Sequence, residues 1–305
     1  MMTRFAFSCI LWVLLVTISG ASQKSPPPLR GRVLFLGDSI TYGGDHLFDF
    51  QLAYQRIFPE VGVQFVNLGL PSETVSGLSE EGHADGRFPR PVLRKRLARI
   101  LTEVEPDVIF AAYGINCAIY QPFSEDRFQA YQKGLAQLQE AASARKTRLF
   151  FLTPWPYDAQ AGGQPIPTDY NEVLQRYARW LLSKKADGWS VIDVHTPLVT
   201  ALADARKSDP EVAFTRDGIH LNPRGSWEAT KALAEPFAIN ILEKNHDNFV
   251  KSVIDLGLVA SLPDYHAQKN AFATSRDEWL RRTRHLRPRT PGGPDDPKLQ
   301  PSSQP

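Results

Sequence analysis

Short apolar runs recur along the chain, with amphipathic stretches between them. Arg32 to Leu36 (RVLFL), Val63 to Leu68 (VQFVNL), Asp107 to Tyr113 (DVIFAAY), Arg148 to Thr153 (RLFFLT) and Ser190 to Val194 (SVIDV) are rich in β-branched and aromatic residues. They are more continuous than alternating, as expected of strands covered on both faces. Helical spacing is read over Leu47 to Phe58, Arg90 to Val104, Glu125 to Ala144, Tyr170 to Lys185 and Pro223 to Lys244. Pro106 stops the second of these. Ser124 suits the N-cap of the third, and Pro223 the first turn of the last. This alternation predicts a doubly wound, three-layer α/β/α sandwich around a five-stranded parallel sheet. In such a sheet, ligands bind beyond the carboxyl ends of the strands.

The two ends of the chain depart from this rhythm. Arg4 precedes a short apolar run, Ile10 to Ile18, and Ser19-Gly20-Ala21 supplies small residues for cleavage. That is the pattern of a secretory signal. The run is shorter than the ~20 residues that span a bilayer. A secreted or periplasmic protein is expected, with no stable membrane insertion after cleavage; an uncleaved anchor is the alternative. The expected segments are a signal peptide (1–21), a Pro-rich linker (22–31), the α/β domain (32–244), a C-terminal helical extension (245–287) and a disordered tail (288–305). Arg281, Arg282, Arg284, Arg287 and Arg289 read as a solvated basic stretch.

Composition changes little. Of 305 residues, 42% are hydrophobic and 22% charged, and the formal net charge is +2. No field points to nucleic acid as a partner. The cysteines are Cys9 and Cys117, and signal cleavage would leave Cys117 alone. No Cys/His spacing resembles a zinc site, so no metal and no cofactor is expected. The sequence does not fix an oligomeric state.

Three groups of reactive residues fall at expected strand ends. Gly37-Asp38-Ser39-Ile40-Thr41 follows the first strand. A serine there sits at a helix N-terminus, whose free N–H groups favour developing negative charge. Gly114-Ile115-Asn116 follows the third, where an Asn amide can point at an oxyanion. Asp217-Gly218-Ile219-His220 precedes the last helix. Asp and His three apart on one turn can hydrogen-bond, which fixes the imidazole tautomer. Each motif alone also fits an ordinary turn or cap; their order and shared location at strand ends distinguish them. Cys117 is a second conceivable nucleophile, but a small buried hydrophobe is the better reading. Asp38, Trp155 and Tyr157 are candidates to touch substrate; the two aromatics could stack on a sugar or cover an acyl chain, or pack on a helix. His195 suits a loop or cap. The stretch from Ser72 to Pro91, with Glu73, Glu80, Glu81, His83, Asp85 and Arg87, reads as a solvated loop bordering the substrate.

The motifs GDSIT, GIN and DGIH, in this order, resemble blocks I, III and V of the SGNH/GDSL hydrolases over roughly Arg32 to Lys244. The resemblance implies a flavodoxin-like sandwich and ester hydrolysis through an acyl-serine. It makes Ser39 the nucleophile and first oxyanion donor, His220 the base, Asp217 its orienting acid and Asn116 a further oxyanion donor. Block II departs from the family: the expected glycine falls on Ser72, with Gly69 as the alternative donor. Block III departs too, with Cys117 where an acid is usual.

The leading expectation is a secreted serine esterase acting on a small-molecule or glycan ester, by deacetylation or deacylation of a carbohydrate. A lysophospholipase or thioesterase is the alternative within the class. A non-catalytic glycan-binding protein, or a flavin-binding one, would share the sheet without needing the triad.

Overall fold

The computed structural model describes residues 26–163, 166–167 and 169–282. The expected signal peptide, the start of the linker and the C-terminal tail lie outside the described residues. Five strands, β1 (Gly31–Gly37), β2 (Val63–Asn67), β3 (Val108–Ala112), β4 (Arg148–Leu152) and β5 (Ser190–Ile192), form one parallel sheet in the order β2-β1-β3-β4-β5. This is the flavodoxin-like order, and its switch point lies between β1 and β3. The ends of β2, β1 and β3 are therefore neighbours, and these are the strands that lead into Ser72, Ser39 and Asn116.

The strands are buried because both faces are covered. After β1 come α1 (Ser39–Gly43) and α2 (Asp45–Ile57); after β2 comes α3 (Leu97–Val104). Then follow α4 (Glu125–Ala144), α5 (Tyr170–Ser183), α6 (His195–Arg206) and α7 (Pro223–Ala234). Helices α2, α7 and α6 pack side by side. On their face of the sheet, Phe50 meets Phe35 and Phe110, and Phe150 meets Phe237. On the other face, Phe151 stacks on Trp189, which meets Trp180, which meets Tyr131 of α4. Each fully buried phenylalanine among them contributes about 1.5–3 kcal/mol through burial; Trp180 and Trp189 are half-buried and contribute less.

Helix boundaries differ from expectation for identifiable reasons. The helix after β2 starts at Leu97 rather than Arg90, because Val92 bridges in parallel to Thr74 and only a single turn follows at Leu93–Lys95. The last helix of the sandwich stops at Ala234, and Pro236 lies in the short turn beyond it. Proline cannot donate the next helical hydrogen bond. Helix α6 was not expected. Its first turn is held by Asp193, whose Oδ1 accepts from the Thr196 N–H, and by Thr153 just after β4, whose Oγ1 accepts from the N–H groups of Val194 and His195. Ser124 and Asn222 cap α4 and α7 as side-chain acceptors.

Two further helices, α8 (His246–Asp255) and α9 (Leu262–Arg282), follow. They are not a separate body. Phe249, Val253, Val259 and Tyr265 belong to the same buried cluster as the sheet.

Gly225 in α7 lies against the loop that carries Asp217 and His220. A Cβ there would fall 1.9 Å from the Phe214 carbonyl oxygen. Gly225→Ala should lower unfolding free energy by about 1–3 kcal/mol through overpacking, read by urea denaturation. Gly62→Ala, with nothing near the added methyl, should change it by less than about 0.5 kcal/mol.

Candidate active site

Ser39 is the first residue of α1, directly after β1. Asp38 caps that helix: its Oδ1 accepts from the Ile40 N–H at 2.9 Å. The cap turns the chain sharply and leaves Ser39 at the sheet edge. On the far side of the chain, Thr215 and Leu221 pair as an antiparallel bridge and enclose the turn bearing Asp217 and His220. Gly218 takes φ 85° in that turn, a left-handed conformation that favours glycine. Asp217 holds its own backbone, with Oδ1 accepting from the N–H groups of Ile219 and His220 at 3.0 and 2.8 Å. Its Oδ2 lies 2.7 Å from His220 Nδ1, and His220 Nε2 lies 2.9 Å from Ser39 Oγ.

The charge state follows from these contacts. Burial raises the Asp217 carboxyl, but hydrogen bonds from the His220 side chain and the turn's N–H groups outweigh it and leave the acid below its usual range. An ionised Asp217 only accepts, so Nδ1 carries the proton. In the neutral ring, Nε2 is then the acceptor for the Ser39 hydroxyl.

The N–H groups of Ser39 and Ser72 take no backbone partner among the described residues. Ser72 has φ 66°, the left-handed region that usually calls for glycine. Gly69 N–H is already committed to Asn67 Oδ1 at 2.9 Å, which leaves Ser72 as the available donor of the two. Asn116 is buried beside this loop; its Nδ2 donates to the Glu73 carbonyl at a long 3.4 Å. Tyr120 OH donates to Asn116 Oδ1 at 2.6 Å and thereby fixes which end of the amide faces the loop.

Several positions correct the sequence reading. Glu73 is fully buried rather than solvated: Arg96 binds both its oxygens at 2.6 Å and Tyr113 OH adds a third bond at 2.6 Å. Glu80 makes a two-pronged pair with Arg90 at 2.7 Å, and the Arg90 guanidinium lies over the Tyr120 ring. His83 leans on Glu80, and Arg87 makes an exposed pair with Asp85. Asp38, Trp155 and Tyr157 are buried and none lines the pocket at Ser39, but Tyr157 lines the neighbouring apolar cavity. Trp155 stands edge-on to His46, and Tyr157 packs on Tyr170. His195 Nδ1 donates to the Pro154 carbonyl at the start of α6. Cys117 is buried, and burial pushes its thiol up to about 11, unsuited to a thiolate nucleophile. Tyr120, Arg90 and the Glu73–Arg96 pair carried no local motif.

The pocket beside Ser39 has a volume of about 70 Å³, and Asp45, His46, Arg216, His220 and Ser226 are among its walls. Leu221 lines both this pocket and a larger, more apolar cavity of about 260 Å³, whose walls also include Tyr157, Leu198, Leu202 and Phe214. Among the described residues, no group of His, Cys, Asp and Glu could hold a metal ion.

The sequence pattern of the GDSL-like Lipase/Acylhydrolase family matches residues 35–227, more than half of the chain. The chain belongs to this family. It is accordingly an ester-bond hydrolase on an α/β fold. Solved structures agree in fold. An acetylxylan esterase from Geobacillus stearothermophilus superposes with TM-score 0.53 at 18% identity, over 72% of this chain and 99% of that one. An alpha/beta hydrolase enzyme from the metagenome of Lake Arreo, Spain, gives 0.51 at 19%, over 69% and 96%. A gut microbial diltiazem-metabolizing enzyme gives 0.57 at 22%, over 72% of this chain and 49% of that one, so the match spans about half of that larger protein. No curated protein matches this chain.

Within this GDSL-family site, the Asp38 carboxyl is raised to about 7, first because it is buried, although the Ile40 N–H, His220 and Arg90 pull it down. Its Oδ2 has no partner among the described residues. Between 3.8 and about 7 the folded chain holds a proton that the unfolded chain has lost. This group's contribution to stability therefore falls as pH rises through that window and is flat above it. Asp38→Asn keeps the capping oxygen and cannot ionise. Its Tm relative to wild type should rise steadily from about pH 4 to about pH 7 and then level off, read by thermal melts across pH. Parallel curves would contradict a buried, proton-holding Asp38.

Proposed function

We propose that the chain is a serine ester hydrolase with Ser39 as nucleophile, His220 as general base and acid, and Asp217 as the orienting carboxylate. The observation that carries this is the continuous series of hydrogen bonds from Asp217 Oδ2 through the imidazole to Ser39 Oγ, at 2.7 and 2.9 Å. Ser39 Oγ attacks the ester carbonyl carbon while Nε2 takes its proton. The resulting oxyanion is received by the N–H groups of Ser39 and Ser72 and by Asn116 Nδ2. Collapse expels the alcohol, which takes the proton from His220, and leaves an acyl-serine. Water, deprotonated by the same imidazole, then releases the acid.

Small volume and polar walls at Ser39 favour a short acyl group on a polar alcohol, such as an acetylated carbohydrate. The acetylxylan esterase among the structural neighbours suits the same substrate class. The apolar cavity behind Leu221 favours longer acyl chains only if that side chain moves aside. The N-terminal signal pattern supports export, where extracellular glycan esters are met.

Ser39→Ala should abolish hydrolysis of p-nitrophenyl acetate while leaving Tm nearly unchanged; retained turnover would refute the assignment. Asn116→Ala should lower kcat by about 10²–10³ with the chain folded. On wild type, kcat/KM should fall from acetate to octanoate esters. A rise with chain length would place the acyl group in the apolar cavity instead.

A further inference from the structure

Helix α1 has five residues and cannot hold its own shape. A helix leaves its last four carbonyls without internal partners, and a single turn fixes many torsions for one hydrogen bond. Yet this turn places Ser39 for attack. Its carbonyls are satisfied from outside. Asn67, at the end of β2, donates Nδ2 to the Thr41 carbonyl at 2.7 Å. The next carbonyl, of Tyr42, accepts from Arg276 Nη1 at 2.5 Å. Arg276 lies on α9, 234 residues further along.

The contact is more than one bond. The Arg276 guanidinium lies over the Tyr42 ring, 3.7 Å from its centre. Asp277 Oδ1 accepts from Arg276 Nε at 2.9 Å and from Tyr42 OH at 3.3 Å. The carboxylate thus ties the guanidinium and the phenol together. The rest of α9 is anchored independently. Tyr265 OH donates to buried Asp49, Phe272 packs on Phe48, and Lys269 pairs with Asp45 at 3.1 Å. All three partners lie on α2, so α9 is held along that helix and delivers Arg276 to the end of α1. The family pattern ends at residue 227, before α9 begins.

We propose that Arg276 is a positioning residue: the C-terminal helix braces the nucleophile's turn through Tyr42, and so sets the aim of Ser39 toward His220. This rests on the reading of Ser39 as nucleophile. Arg276 touches no substrate and acts only through α1. Misplacement of a reacting atom by as little as an ångström costs rate steeply while binding survives. Loss of the brace should therefore appear in kcat and in the intrinsic reactivity of Ser39, with KM little changed.

The test uses the full chain and five variants, Ser39→Ala among them. Arg276→Ala should lower kcat on p-nitrophenyl acetate, and the rate of covalent labelling of Ser39 by a fluorophosphonate, each by roughly tenfold. KM should stay within about twofold, because the binding walls are intact. Arg276→Lys, which keeps a cation for the ring and a donor for the carbonyl, should recover most of both. Tyr265→Phe, which removes the far anchor but leaves Phe272 and Lys269, nearer Arg276, on α2, should lower Tm without lowering the labelling rate. If Arg276→Ala does not fold, Arg276→Gln replaces it, keeping a donor without the cation, and should label at an intermediate rate. Normal kcat and labelling in a folded Arg276→Ala or Arg276→Gln, with Ser39→Ala inactive, would overturn the brace alone. Activity in Ser39→Ala would overturn the nucleophile assignment, and the brace with it. Equal loss in Tyr265→Phe and Arg276→Ala would show general loosening of the helix rather than positioning.

Discussion

The hydrogen bond between Ser39 Oγ and His220 Nε2 joins groups 181 residues apart. Neither partner can search for the other, because a usable proton path needs the two atoms within a few tenths of an ångström of ideal separation. Each must therefore be fixed by its own surroundings before they meet. On the serine side, the Asp38 cap, the Asn67 amide and the Arg276 guanidinium satisfy the polar groups of a single turn. On the histidine side, Asp217 holds backbone with one oxygen and imidazole with the other. Gly225 and Gly218 allow the loop to lie close against α7 and against the chain after β4. The hydrogen-bonded series from Asp217 through His220 to Ser39 joins two independently made corners.

The proposed oxyanion donors add a second demand: the Ser39 and Ser72 N–H groups take no backbone partner among the described residues, while the groups around them are paired. The buried Glu73–Arg96–Tyr113 cluster answers it. Removing a buried charge's partner is costly, so a two-pronged pair with a third donor resists rearrangement. It pins the residue after Ser72, and Arg96 also holds the Leu68 carbonyl before it. The loop is thereby gripped on both sides of a left-handed serine, whose N–H remains available. Asn116 is treated the same way: Tyr120 occupies its oxygen, and Arg90 sits on the Tyr120 ring. Polar groups that never meet the ester thus keep the few that would do so from finding other partners.

The contrast between what was legible in the sequence and what was not follows from range. Five strands announced themselves because a doubly covered sheet demands unbroken apolar runs. GDSIT, GIN and DGIH were visible because turn chemistry and site chemistry share a few adjacent residues. The parts that escaped notice act across the chain. The start of α6 is held partly by Thr153, about 40 residues back, just after β4. Glu73 looked like one acid among several in a polar loop, and only Arg96, 23 residues on, makes it a core residue. Asp38, Trp155 and Tyr157 have the chemistry to touch substrate. Their burial is decided by neighbours such as His46 and Tyr170, which adjacency in sequence cannot reveal.

The C-terminal helices extend this logic. A parallel sheet of five strands already supplies the strand ends that carry Ser39, Ser72 and Asn116, yet the end of α1 is left facing outward. Exposed to water alone, its carbonyls would be solvated but mobile. A guanidinium clamped between a carboxylate and a ring gives the same carbonyl a partner with fixed direction. Because α9 is anchored along α2 by Tyr265, Phe272 and Lys269, the direction is inherited from the core rather than from a free side chain. An element that looks like an appendage in the sequence is, by its contacts, part of what makes the first turn after β1 rigid.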